Sequence, residues 1–331
     1  MPYNQFVGVG EQTAFDTAVA RTHFMKCHAG GMVNHKADRQ KSSIMSANIG
    51  ADAEESFDRG QHGEATIIIP SSYDDRGNIK MEKHALGLLA TTGAGPYTHT
   101  LTRKVGPPFA AGAVSTAVAL SVELNYEFPD SSFEAHLLTG GMVKSLKKSW
   151  TAGEEVKNEY VLIGKNVTKV AKSSSPTFPD RANYAQKFSQ CTVSIDGNAG
   201  HEGVISGFEF TIDNGYEVDM RLGSINTQTP VRRGVATIAG SFSRKWTTGT
   251  TPTAKAIWDA FVANTAKAFI ITLTGPTNYS EVITLANCQL MGGDISPEEG
   301  QLQEATFPFE AYHDATNSAV KIVHQNQTSS I

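Results

Sequence analysis

The sequence predicts a mainly β protein arranged as two similar units, each with one helix. Three observations carry this reading. Short β-branched and aromatic runs recur along the chain, several with alternating polarity. Amphipathic helical spacing stands out in two windows, 79–89 and 254–264. The order of elements in the first half is echoed in the second.

Residues 1–20 have little periodicity and read as an arm. Residues 45–63 are polar, acidic and Gly-punctuated, a loop long enough to suggest an interaction element. Glu64–Pro70 is a strand by its β-branched run, and 79–89 is a short amphipathic helix with apolar positions at Ile79, Met81, Ala85, Leu86 and Leu89 and Lys80, Glu82 and Lys83 between them. The Gly-, Pro- and Thr-rich 91–108 reads as an extended connection. Ala117–Phe128 alternates as a strand. Phe133–Leu138 and Lys144–Trp150 read as two strands flanking Gly140-Gly141, and 158–163 as another. The Ser-Ser-Ser-Pro run and Phe178-Pro179-Asp180 mark 173–189 as a linker. The divisions expected are therefore an arm (1–20), a first unit (21–172), the linker and a second unit (190–331).

In the second unit, Asp213-Asn214-Gly215 predicts a tight hairpin joining strands at 204–212 and 216–222. Residues 223–233 read as a polar loop. Strands are expected at 236–243, 268–273, 282–290, 305–312 and 319–323, with the second helix at 254–264. The repeat aligns Glu64 with Val235, 171 residues apart, and Gly140-Gly141 with Gly292-Gly293, 152 apart. The first copy thus holds about 19 extra residues, placed in 91–108.

Composition excludes several classes. The charged fraction is 18%, ordinary for a folded chain, and the net charge is −5. That argues against a protein gripping nucleic acid through a basic patch, though not against a wall past which nucleic acid slides. Three widely spaced cysteines give neither a disulfide framework nor zinc spacing. No apolar run reaches the length of a membrane span, and the opening residues do not read as a signal peptide.

No constellation predicts catalysis, a cofactor or a metal. His23, Cys27, His28 and His35 fit no standard ligand set and read as loop residues. Asp74-Asp75 and Glu298-Glu299 read as solvated turn carboxylates rather than an acid/base pair. Gly8-Val9-Gly10 lacks the context of a nucleotide fingerprint. Trp258 and Phe261 read as a core-facing stripe. Arg232-Arg233 and Arg244-Lys245 read as interface salt-bridge partners rather than DNA contacts. Lys144, Lys147 and Lys148 are compatible with a solvated face or with a neighbouring subunit.

An ordered set of segments resembles the tail tube (major tail) proteins of tailed phages. It comprises Phe6–Thr13, the Gly240-Ser241-Phe242-Ser243 strand, the helix with Trp258 and Phe261, Val282–Leu290, Gly292-Gly293-Asp294, Glu304–Tyr312 and Val320–Val323. The resemblance implies two tandem tail-tube-like domains, each a β-sandwich or split barrel with one flanking α-helix. It also implies a structural virion protein in the tail, assembled in the host cytoplasm into stacked rings through which DNA is ejected. If each unit gives about four strands, spaced about 4.8 Å and tilted about 40°, six units close a barrel of roughly 50 Å. That admits a duplex roughly 20 Å wide. Two units per chain make the ring a trimer, a pseudo-hexamer; a hexamer of chains is the alternative. Expected partners are further copies of the chain, tape-measure and tail terminator or baseplate proteins, passing genomic DNA without specific binding, and a sheath in a contractile tail. No membrane partner is expected. The 45–63 and 223–233 loops are the expected ring-to-ring contacts, through Asn48, Asp52, Glu54, Glu55, Asp58, Arg59, Asn226, Arg232 and Arg233, helped by the 1–20 arm. A competing reading is a cell-surface or carbohydrate-binding β-sandwich module.

Overall fold

The computed structural model describes residues 5–15, 17–28, 31–41, 56–103, 119–128, 130, 132–201, 203–232, 234–246, 253–296, 304–313, 318–329 and 331. The first half holds β1 (Phe6–Gln12), β2 (His23–Lys26), β3 (Met32–Lys41), β4 (Ser56–Pro70), α1 (Arg76–Leu86), β5 (Gly87–Thr92), β6 (Tyr97–Arg103), β7 (Ala119–Glu127), β8 (Phe133–Thr151), β9 (Lys157–Gly164) and β10 (Asn166–Val170). A short α2 (Arg181–Tyr184) and a 3₁₀ turn (Phe188–Gln190) follow in the connector. The second half holds β11 (Cys191–Ile195), β12 (Ile205–Asp213), β13 (Tyr216–Asp219), β14 (Gln228–Arg232), β15 (Thr237–Lys245), α3 (Ala254–Val262), β16 (Lys267–Thr274), β17 (Ser280–Leu290), β18 (Asp294–Ser296), β19 (Glu304–Ala311) and β20 (Lys321–Asn326).

Strand pairing resolves into three connected sheets. A wall runs β3-β4-β9-β8-β12-β15-β19 across both halves. The first half adds β2-β1-β7-β8-β10. The second adds β11-β16-β17-β20, extended by β6 and β5 from the first half. A large apolar core, with Leu146, Trp150, Tyr160, Phe210, Phe242 and Phe307 among its members, fills the space behind the wall, and a small second cluster joins Met142, Ile163 and Tyr216.

The repeat is visible in the pairings. β1–β7, β3–β4, β4–β9, β7–β8, β8–β9 and β8–β10 correspond to β11–β16, β12–β15, β15–β19, β16–β17, β17–β19 and β17–β20. The β5–β6 hairpin is an insertion in the first half, in the region where the length difference placed it.

Several expected elements differ. The strands at 133–138 and 144–150 are one strand, β8, which passes from the first-half sheet into the wall. Gly140 makes the passage possible. Its φ is +70°, and a Cβ there would lie 2.6 Å from the Phe15 carbonyl oxygen. The first helix ends at Leu86, because Gly87 takes the left-handed C-cap and donates to the Lys83 carbonyl, while Asp75 caps the start by accepting from the Asn78 N–H. Residues 87–92 then form a strand. Of the expected 45–63 loop, 56–63 belongs to β4 and 45–55 lies outside the described residues.

The hairpin expected at 213–215 does not pair β12 with β13. Asn214 is buried and its side chain donates to the carbonyls of Ala85 (3.0 Å) and Val143 (2.9 Å), while Arg103 donates to its Oδ1 (3.1 Å). The turn is thereby tied to the first half. β13 leaves the wall and pairs with β14 instead, so 228–232 is strand rather than loop.

Candidate assembly surfaces

The wall strands β8, β12, β15 and β19 alternate between buried and more exposed positions, and the two faces differ in kind. The face away from the core carries Ser145, Lys147 and Ser149 from β8; Glu209, Thr211 and Asp213 from β12; Ala239, Ser241 and Ser243 from β15; and Thr306, Pro308 and Glu310 from β19. Cross-strand partners share a face in an antiparallel sheet, so the registers extend it to Glu159 and Lys157 on β9, Glu64 and Thr66 on β4, and Met32, Asn34 and Lys36 on β3. Among the residues of this face whose side chains are described, it carries Glu64, Glu159, Glu209, Asp213, Glu304 and Glu310 against Lys36, Lys147, Lys157 and Lys245, a balance of 4 − 6 = −2. Lys147 is itself paired with Glu209 at 2.7 Å. In the second half the wall therefore presents mostly small polar groups with a slight acidic excess and few unopposed cations, while in the first half Met32, Ile68, Val161 and Ile163 stand among the polar residues and Ile163 is covered by Tyr216.

Both lateral ends of the wall are open among the described residues. β3 has β4 on one side only, and β18 has β19 on one side only.

Two hairpins project from one end of the wall. β4 leaves its last β9 partner at Gly63, and its Ser56–His62 stretch runs on against β3 for roughly 20 Å. The β13–β14 hairpin lies beside it. Gln61 N–H donates to the Ile225 carbonyl at 2.7 Å, and Thr227 N–H donates to the Gln61 carbonyl at 2.9 Å. Met220 fills the space a side chain at Gly60 would need. At the tip, Leu222 is fully exposed and Ile225 is 47% exposed.

The two stretches expected to make ring contacts, far apart in sequence, are thus brought together. Asn226 bridges directly to Gln61. Asp58 and Arg59 lie on β4 in the projecting hairpin. Arg232 sits lower, half-buried at the root of β14. Asn48, Asp52, Glu54, Glu55 and Arg233 lie outside the described residues.

The expected basic interface spots are changed. Arg244 is fully buried on the core side of β15, and only Lys245 lies on the polar face. Lys148, on the parity opposite Lys147, is also fully buried. Its ammonium donates to Glu82 Oε1 on α1 at 2.6 Å and to Glu281 Oε1 on β17. His324 Nε2 on β20 meets Glu82 Oε2 at 2.5 Å, Gln186 donates to Glu281 Oε2 at 2.7 Å, and Asn78 donates to Glu82 Oε1 at 3.0 Å. Burial would raise the Glu82 pKa, but Lys148 and His324 overcome it and hold the carboxyl down to about 2. Burial would lower the Lys148 and His324 pKa values, yet the two carboxylates raise both. Glu82, Glu281 and His324 could in type be a ligand set, but the Lys148 ammonium bonds to both carboxylates and makes the group a closed ionic cluster.

The residues expected to read as bland loop groups are scattered. His23 contacts Thr22, His28 faces Glu155 at 3.3 Å, and His35 bonds Gln61. Asp75 is the buried N-cap of α1 and Asp74 lies beside it. Glu298 and Glu299 lie outside the described residues. Trp258 and Phe261 pack on each other and on the core, as their spacing predicts.

The duplicated sheets, the polar wall and the open edges define a structural subunit of mainly β architecture. The model of the phage tail tube protein family matches residues 3–311, and the chain belongs to that family. It is a structural protein of the virion tail. No curated protein matches the chain.

Proposed function

We propose that three copies close into a ring, and that rings stack into a hollow tube whose lumen is lined by the polar face of the wall. The carrying observation is the wall itself. It spans both halves, buries most of one face, leaves the other largely polar, and ends on open edges among the described residues. Each half gives it the same kind of strands: β3, β4, β9 and β8, then β12, β15, β19 and β18. Three chains then supply about 24 strands, which at ordinary spacing and tilt enclose roughly 40 Å of free lumen. A near-neutral surface without free cation rows lets DNA pass without the phosphate contacts that would hold it.

The paired hairpins at one end of the wall make the ring-to-ring contacts, with Leu222 and Ile225 as apolar anchors beside Asn226, Asp58 and Arg59. Tape-measure, terminator or baseplate proteins would meet the same lumen and ring ends, a sheath the outside, and assembly precedes release in the host cytoplasm. Negative-stain microscopy and size-exclusion chromatography of the purified chain test this reading. Rings or tubes support it; a stable monomer at high concentration overturns it.

A further inference from the structure

The joint between the two halves offers a template for the joint between copies. Inside the chain, β8 of the first half pairs with β12 of the second, Ser149 opposite Glu209, Lys147 opposite Thr211 and Ser145 opposite Asp213. The repeat transfers each partner. Met142↔Ile163 and Ser149↔Lys157 become Gln289↔Glu310 and Ser296↔Glu304 when both strands are advanced by 147 residues (289 − 142, 310 − 163, 296 − 149 and 304 − 157). Two further features fix the same offset. The strand changes sheets at Gly141–Met142 in one half and at Cys288 in the other. The register slips by one residue after that point in both, at 143–145 and at 290–294. The offset of 152 read from the Gly pairs is therefore corrected to 147, and that of 171 read from Glu64 and Val235 to 175 (241 − 66).

The edge strands transfer likewise. Thr66↔Val161 and Met32↔Thr66 occupy the places of Ser241↔Pro308 and Glu209↔Ser241, so Met32, Asn34 and Lys36 stand where Glu209, Thr211 and Asp213 stand. The equivalent of β12 in the first half, β3, is an open edge, and so is the equivalent of the wall part of β8, the 292–296 stretch.

Resting on the ring reading above, we propose that β3 of one copy pairs antiparallel with the 292–296 edge of the next, with Met32 opposite Ser296, Asn34 opposite Asp294 and Lys36 opposite Gly292. The occupant of each edge is a second copy of this chain. The pairing continues the hydrogen-bond ladder and keeps the polar face on one side, because all six positions share the parity of Lys147 and Glu209. A one-residue slip would turn the polar face of the wall into the core. Because the two edges differ and each copy offers one of each, the contact is head-to-tail, the kind that forms a ring when its rotation closes.

Cysteine pairs read the register directly, since a disulfide needs closely opposed Cβ atoms. In a Cys27→Ser, Cys191→Ser background, Asn34→Cys with Asp294→Cys, and separately Met32→Cys with Ser296→Cys, are oxidised after assembly and run under denaturing conditions. The shifted pairs Met32→Cys with Asp294→Cys, and Asn34→Cys with Ser296→Cys, are the controls. The expected result is intermolecular linkage up to a covalent trimer for the in-register pairs and little for the shifted ones. Rings that link only through shifted pairs, or through neither, overturn the proposed joint while leaving the tube reading intact. Absence of any ring by size-exclusion chromatography removes both. Lys147→Cys with Thr211→Cys reports that oxidation works, because it must link within one chain.

Discussion

Lys148 and Glu281 meet in the core from opposite halves of the chain, an ammonium on β8 bonded to a carboxylate on β17. Glu82 on α1 holds the same ammonium, so one lysine ties the wall, the helix and the second-half sheet together. Replacing Lys148 by Met leaves buried Glu281 without its ion-pair partner and Glu82 with His324 alone, and is expected to cost about 3–5 kcal/mol. The further changes Glu82→Gln and Glu281→Gln should recover much of that loss. Urea unfolding of the single and triple variants checks this; a loss under about 1 kcal/mol for Lys148→Met would show the cluster to be incidental.

The cluster also sets a pH signature. His324 is raised above its ordinary 6.5, so its contribution is full below that value and is lost as pH rises through the folded pKa. Glu82 is depressed from 4.5 to about 2, so its contribution is present above 4.5 and is lost as pH falls through about 2. Facing groups are Lys148, Glu281 and His99, whose own pKa is lowered by burial and which therefore opposes stability at acid pH. His324→Gln should flatten the alkaline limb of a stability–pH profile and shrink, without abolishing, the limb below 4.5, because Lys148 still holds Glu82 down. An unchanged alkaline limb contradicts the assignment.

Asn214 carries the turn that joins β12 to the first half. Asn214→Ala orphans the Ala85 and Val143 carbonyls and the Arg103 donor in a buried place, an expected loss of about 2–4 kcal/mol. Thermal unfolding measures it. A melting temperature within error of the parent would mean water replaces those bonds without cost.

Reversing charge on the polar face should spare the fold and disturb transport. Glu159→Lys, Glu209→Lys and Glu310→Lys together leave the core untouched, so circular dichroism and assembly should match the parent. Phage carrying them should eject DNA more slowly, with the defect relieved by salt. Normal ejection kinetics at low salt would argue that this face does not meet DNA.

Leu222 is fully exposed at the hairpin tip. Leu222→Asp is expected to leave rings intact and to abolish or shorten tubes in micrographs. Tubes of parental length would move the axial contact elsewhere.

Much of the fold was legible because the wall strands alternate. Leu146/Trp150, Phe208/Phe210 and Phe307/Phe309 sit at period two and announce a sheet with one buried face. The parity of Lys148, between Leu146 and Trp150, also held the signal that this lysine is core. Glu281 and His324 stand likewise on the parities of Ile283 and Ile322. What sequence could not supply was that these three, with Glu82, converge, because their strands are joined only by long-range pairing. The Asp213-Asn214-Gly215 turn misled for the complementary reason: local turn chemistry predicts a bend but not which strands it will serve, and here tertiary bonds to Ala85 and Val143 decided. The projecting loops were located, but their mutual contact through Gln61 and Asn226 was not.

The account rests most on the wall closing around a lumen with three chains. Electron cryomicroscopy of the assembled tube, sharpened enough to trace strands, decides it. The expected map shows three chains per ring, a pseudo-sixfold wall of about 24 strands, and Lys147, Glu209 and Glu310 facing the lumen. Six chains per ring, or the polar face turned outward, would contradict it.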